Sequence, residues 1–308
     1  MRDYTSINLR NDIVFKFVFG YEKNEKILIA LLNAILHPDG EKKIVKLTFL
    51  NSINLKEYLK DKISVLDVKA EDSKGRRYNV EVQVKAEQSY IERVIYYLAK
   101  LFTEQLQQGD DYDKLNKTIS ISILDFILLD NENDLHNIYR FLNIKSKKEL
   151  TELKEIHFIE LPKFKKDKPK RLRTKFEKWL HILKFGENYA KDPDNLPDEL
   201  REEEFIMAIQ EMVRASSDEV VRELLEARSK ALHDEATRMK HALEKAKEEG
   251  EKIGIEKGIE KGKIESLKKV AENALKKGLS LEDIIEITGL TSEEIKKFLE
   301  EIKMELRH

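Results

Sequence analysis

The sequence predicts an α/β fold in its first half and a mostly α-helical second half. Three observations carry this reading. Over about the first 165 residues, apolar runs that alternate or become continuous, such as "YNVEVQVK" and "KTISISILDFIL", lie between runs with helical spacing. From Arg201 onward the chain is almost continuously rich in Glu, Lys, Arg and Ala, all compatible with helix. Finally, 308 residues with 41% hydrophobic content can bury a sizeable core and form more than one domain. Charged residues make up 38%, and the two signs nearly cancel, to a net charge of -2. A patch for nucleic acid must therefore be local. The absence of cysteine excludes disulfides, thiolate chemistry and cysteine-ligated zinc. The opening "MRDYTSINLRNDIVFKF" lacks a signal peptide's apolar centre, and no run approaches the roughly 20 apolar residues of a membrane span. The expectation is a soluble, cytoplasmic protein with no membrane partner.

Each element follows in order. Asn11 or Asp12 is placed to cap a first helix, "DIVFKFVFG", ending near Gly20. A second helix, "NEKILIALLNAIL", stops at the turn signal "HPDG". "KIVKLTFLN" suits a strand, with no obvious partner. "ISVLDVKAED", the turn "SKG" and "RRYNVEVQVK" then read as a β-hairpin. "SYIERVIYYLAKLFTEQLQQG" is a long amphipathic helix with Gly109 as its expected C-cap. "KTISISILDFIL" reads as an interior strand, and "ELKEIHFIEL" as another that ends at Pro162. The order is α-α-β-β-β-α-β-β.

After Lys163 the character changes. "KFKKDKPKRLRTKFEK" holds nine Lys or Arg and leads into a helix around Trp179, and "KDPDNLPDEL" reads as a linker. Gly250, Gly254, Gly258 and Gly262 recur every four residues in the helical region that follows. In a helix each costs on the order of 1 kcal/mol relative to Ala. Two readings stand: a groove for a second helix, hence a homodimer through the C-terminal helices, or a flexible connector. The tail reads as two short helices around "TGLTSEE". Its second helix carries four Glu against three Lys, which favours a small packing or partner-binding hairpin over a DNA-reading helix-turn-helix. The expected divisions are 1–165 for the α/β domain, 166–245 for the basic and helical region, and 246–308 for the Gly-spaced helix and hairpin.

The chemistry concentrates on the hairpin. Alternation sends Glu81, Gln83 and Lys85 to one face of their strand and Val80, Val82 and Val84 to the other. Asp67 lies on the partner strand, and a hairpin of this length brings the two carboxylates toward one end of the sheet. Paired hard oxygen ligands suit Mg²⁺, which keeps positions open for water and phosphate. An ordinary polar face is the competing reading. Scattered histidines, the lack of a Gly-rich phosphate loop after a strand, and the lack of a nucleophile elbow leave no case for a zinc enzyme, nucleotide-binding loop or serine hydrolase.

This hairpin, an Asp, a turn, then acid–any–(Gln for Lys), resembles that of PD-(D/E)XK nucleases. Together "NDIVFKFVFG", "LDVKAED", "YNVEVQ" and "RVIYYLAKLFTEQLQQGDDYDKL" resemble the recombination-promoting nuclease (Rpn) family, also described as PD-(D/E)XK transposase-like, over residues 8 to 130. The Gly-spaced helix and "IIEITGLTSEEI" are similar to C-terminal ends in that family. The resemblance implies a PD-(D/E)XK restriction-endonuclease-like core. The implied activity is a metal-dependent DNA endonuclease of little sequence specificity, acting on double-stranded DNA and linked to recombination or mobile DNA. It implies Mg²⁺ or Mn²⁺, with Ca²⁺ as a further candidate, held by Asp67, Glu81 and the backbone carbonyl of Val82. Asp12 is an additional candidate ligand, with an N-cap as its competing role.

Gln83 stands where the wider fold has Lys, although the resembled family itself carries Gln there. Glutamine cannot supply a cation or take a proton, but it can orient water or a phosphate oxygen. Lys85, in line with Glu81, or Lys69, two residues past Asp67, is expected to supply the charge. By resemblance, Arg93, Tyr96 and Tyr97 face the site or the DNA backbone, with Arg93 suited to phosphate. The basic run, with Lys165, Lys166, Lys170, Arg171 and Arg173, is the expected grip on DNA, against a merely solvated loop. The alternative function is a catalytically silent DNA-binding or transposition-accessory protein with the same fold.

Overall fold

The structure, a computed structural model, describes residues 7–37, 43–50 and 67–305. The expected turn at Pro38–Gly40 and the front of the expected hairpin strand, Ile63–Leu66, lie outside the described residues. Among the described residues the helices are α1 (Asp12–Phe19), α2 (Glu25–Leu36), α3 (Tyr90–Thr103), α4 (Lys175–Phe185), α5 (Glu203–Ser217), α6 (Glu219–Lys276), α7 (Leu281–Thr288) and α8 (Ser292–Glu305). The strands are β1 (Leu47–Phe49), β2 (Val68–Asp72), β3 (Arg77–Gln83), β4 (Thr118–Leu124), β5 (His136–Leu142) and β6 (Glu149–Glu160).

These strands form one mixed sheet in the order β1-β2-β3-β4-β6-β5. β3 and β4 run parallel, as do β4 and β6, whereas the flanking pairs are antiparallel. The parallel step from β3 to β4 requires a crossover, and α3 supplies it. Every residue of β4 is buried, as expected for a central strand covered on both faces. On one face, Val68, Val80, Val82, Ile119 and Ile121 pack with α1, α2, Trp179 and Phe205 in the main core. Trp179 is its hub, with its ring 5.8 Å from that of Phe19 and 4.9 Å from that of Phe205. On the other face Tyr90 and Val94 of α3 meet Leu124 and Phe158.

The contacts divide the chain into residues 1–231 and 232–308, not at 165 and 245. The expected separate basic and helical region is part of the first unit because its apolar side chains enter the main core. Leu172, Leu183, Met212 and Leu225 all belong to that core. The expected linker "KDPDNLPDEL" buries Leu196 and Leu200 there and so is a packed turn. Strand β5 escapes the sequence reading because it is an edge strand whose residues are half-buried or exposed, which removes the alternation signal. Helix α3 stops at Thr103, and Gly109 serves a later turn at φ +95°.

In the second unit Ala271 and Ala274 of α6 pack against Ile284 and Ile295 of the terminal hairpin. Ser280 and Asp283 form a capping box at α7, Gly289 ends α7 in the left-handed region, and Thr291 with Glu294 caps α8. The expected two short helices are present.

Candidate active site

Strand β3 sorts its side chains as alternation demands. Tyr78, Val80 and Val82 enter the main core, while Asn79, Glu81 and Gln83 face the other way. Glu81 is only 4% exposed. A buried carboxylate requires donors, and two are present. Tyr90, the first residue of α3, donates its hydroxyl to Glu81 Oε1 at 2.6 Å. Ser122, opposite Glu81 in the β3–β4 register, donates Oγ–H to the same oxygen at 3.3 Å.

Asp67 immediately precedes β2. The register pairs Val68 with Val80, and continuing it one residue outward sets Asp67 opposite Glu81. Asp67 is likewise buried, at 7% exposure, and Lys69 Nζ lies 3.8 Å from its Oδ2. The hairpin thus brings together the two acids that the sequence singles out.

Electrostatics mark the pair. Burial pushes the Asp67 carboxyl above the usual carboxylate range, with the Lys69 and Lys16 charges opposing. Burial also raises Glu81, against the Tyr90 hydrogen bond and the Arg93 charge, while the Asp67 charge adds to the rise. Lys16 of α1 is itself lowered by burial, opposed by Asp67. Among the described residues no third acid or histidine completes a metal-holding cluster, so two buried acids that repel one another, with cations close by, form a donor set of carboxylate oxygen alone. Its chemistry fits a hard divalent cation, which would relieve both the burial and the repulsion.

The remaining expected residues take varied places. Lys85 lies two residues beyond the end of β3 and is exposed, so strand alternation does not carry it in line with Glu81. Val82, whose carbonyl is an expected ligand, has its side chain in the core. Asp12 forms an ion pair with Arg228, and Asn11 caps α1 by accepting from Ile13 and Val14 N–H groups. The cap therefore belongs to Asn11. Gln83 Nε2 and Arg93 Nη1 both donate to Glu87. The Arg93 guanidinium lies over the Tyr90 ring, 5.0 Å from its centroid. Tyr96 is exposed and Tyr97 half-buried, their rings packed edge to face.

Much of the basic run is answered within the chain. Lys163 pairs with Glu160, Lys166 with Glu177, Lys175 with Glu202 and Glu204, and Lys178 with Glu202. Lys165, Lys168, Lys170, Arg171 and Arg173 are exposed around the buried anchors Phe164 and Leu172.

Four residues of the site escape the sequence reading: Lys16, Tyr90, Ser122 and Glu87. Lys16 carries a signal, since it is the one basic residue in an otherwise apolar or Asp-led helix. Ser122 carries another, a hydroxyl inside a strand that is otherwise apolar at alternate positions. Tyr90 and Glu87 carry none, because their role depends on where α3 crosses the sheet.

No curated protein and no solved structure was found to match the chain. The family model of PD-(D/E)XK nuclease family transposases matches residues 9–242, from just before the Asn11 cap, through the six described strands and into α6. A match over well over half the chain, on a mixed sheet with flanking helices, is a statement of membership: the chain belongs to the PD-(D/E)XK nuclease family transposases.

Proposed function

We propose that the protein is a metal-dependent endonuclease of the Rpn type. It hydrolyses phosphodiester bonds of double-stranded DNA with little sequence specificity, in the cytoplasm, in recombination or the movement of DNA. The observation that carries this reading is the placement of buried Asp67 opposite buried Glu81. Mg²⁺ or Mn²⁺, with Ca²⁺ as a further candidate, would be held by Asp67, Glu81 and the Val82 carbonyl. When bound, the ion would neutralise charge on the phosphate and acidify a water.

The chain's own groups do the rest. Tyr90 and Ser122 both bond Glu81 Oε1, which orients the carboxylate and leaves Oε2 as its proposed ligand oxygen. Lys69 and Lys16, rather than the exposed Lys85, supply positive charge beside Asp67. Gln83 orients water or a phosphate oxygen. Arg93 and the exposed basic residues Lys165, Lys170, Arg171 and Arg173 hold the backbone, with Lys166 released from Glu177 on binding.

Supercoiled plasmid tests the proposal, incubated with wild type and with Asp67→Ala in Mg²⁺, Mn²⁺, Ca²⁺ and EDTA. Nicking by wild type that disappears in EDTA and in Asp67→Ala, with circular dichroism unchanged, is the expected outcome. Full activity of Asp67→Ala overturns the assignment.

One observation favours the second reading, a catalytically silent accessory protein: the Gln83 amide is already engaged by Glu87. A metal titration of DNA binding separates the two, since the silent protein binds duplex without needing the ion.

A further inference from the structure

The six-residue link between β3 and α3 carries an acid that engages two donors at once. Gln83 Nε2 donates to Glu87 Oε1 at 2.7 Å, and Arg93 Nη1 donates to Glu87 Oε2 at 2.6 Å. Gln83 is two residues beyond Glu81 on the same strand face. Arg93 lies over the ring of Tyr90, the residue that bonds Glu81. Both donors therefore converge beside the proposed metal-binding carboxylates.

Arg93 is under-used in this arrangement. Its Nε and Nη2 are buried yet have no hydrogen-bond partner among the described residues. A guanidinium presents a planar fork suited to the paired oxygens of a phosphate or carboxylate. Buried donors left unpaired are unfavourable and uncommon in a settled fold. Glu87 meets one arm of the fork and leaves the rest open. Its carboxylate spans an amide and a guanidinium in the way that two non-bridging oxygens of a phosphodiester can span them. The Glu87 side chain is 47% exposed, so it can turn out to solvent without disturbing the core.

We infer that Gln83 and Arg93 form a seat for one backbone phosphate of DNA, and that Glu87 fills this seat in the free protein as a carboxylate stand-in which the phosphate displaces. The inference rests on the proposed reading of the site. Glu87 keeps the two donors aligned before DNA arrives, at the expense of affinity. An entering phosphate takes the place Glu87 leaves at Nη1, and the departure of Glu87 opens the adjoining buried arms of the Arg93 fork to its second oxygen.

The test is binding of a labelled blunt DNA duplex in EDTA, where cutting does not interfere, followed by fluorescence anisotropy. Wild type is compared with Glu87→Gln and with Glu92→Gln, which removes the same charge from an exposed position on α3. Glu87→Gln is expected to bind about three- to tenfold tighter, the scale of one exposed ion pair plus relief of like-charge repulsion. Glu92→Gln is expected to gain less. The salt slope should steepen by about 0.9, one further phosphate contact no longer offset by an internal pair. The gain should vanish in an Arg93→Ala background and shrink in Gln83→Ala.

A gain no larger than that of Glu92→Gln, a gain that survives Arg93→Ala, or no duplex binding by any variant overturns the inference. Plasmid nicking that still depends on Asp67 would then leave the nuclease reading standing. A gain that runs through Arg93, without cutting by any variant, supports the phosphate seat and removes the nuclease reading.

Discussion

Asp67 and Glu81 are held against their own solvation. In an unfolded chain both carboxyls ionise near their ordinary values; in the fold, burial raises both. A raised carboxyl binds its proton more tightly when folded, so stability falls as pH rises from the unfolded value through the folded one and stays lower above it. Replacing the acid with its amide removes that penalty while preserving shape. Asp67→Asn is therefore expected to raise the melting temperature at pH 7 by about 2–4 °C, the shift that ~1 kcal/mol gives in a unit of this size. The gain should disappear near pH 3, where wild-type Asp67 is protonated as well. Thermal scans at the two pH values check this, and an equal gain at both would remove burial of charge as its cause. Glu81 accepts from Tyr90 and Ser122 on one oxygen, so its amide disturbs that hydrogen bonding and gains less.

Helix α6 shows the cost of its glycines at the scale of an element. An added Cβ at Gly250, Gly254, Gly258 or Gly262 meets nothing within 4 Å. Met239, Leu243, Ile253 and Ile264 of the same helix are largely exposed, and Met239, Leu243, Gly250, Ile253 and Ile264 fall at heptad-compatible spacing. Gly254→Ala with Gly258→Ala should stabilise an unpartnered helix by about 1 kcal/mol per site, seen as increased helicity in circular dichroism. A homodimer that uses the small residues for close approach would respond oppositely, dissociating at higher concentration in sedimentation equilibrium. The double variant therefore distinguishes the proposed homodimer from a solvated connector.

At the scale of the whole molecule, the unit that holds the site is larger than its sheet. Helix α5 and the start of α6 supply Phe205, Ile209, Met212, Val221 and Leu225 to the main core. Truncation after residue 200 would remove these side chains and expose Trp179, whose loss alone as Trp179→Ala is expected to cost about 3–5 kcal/mol. A fragment of residues 1–231 should fold with a cooperative melt and keep plasmid nicking, whereas residues 1–200 should not give a soluble, cooperative domain. Limited proteolysis and thermal melts of the two fragments check this. Cutting by 1–231 would also place the second unit outside the chemistry, whatever its contribution to assembly.

Local sequence determined the elements whose pattern reports their own burial. The apolar run of β4, the Val80–Val82 face of β3, a helix cap at Asn11 or Asp12 and the TGLTSEE turn are legible because periodicity and capping are short-range effects. The acid pair is legible in part: a hairpin links sequence spacing to spatial pairing, so the sequence brings Asp67 and Glu81 toward one end of the sheet, while the register that sets them opposite one another belongs to the fold. Only the tertiary structure decided what surrounds that pair. Whether Lys16, Lys69 or Lys85 stands beside Asp67 depends on how α1 packs and where β3 ends. Tyr90 and Ser122 reach Glu81 through a crossover helix and a neighbouring strand, separated from it by 9 and 41 residues. The basic run reads as one charged patch in sequence, yet Glu160, Glu177, Glu202 and Glu204 neutralise much of it. Ion pairing is set by distance in space, and a linear pattern carries that information only where a single turn or helix closes the gap.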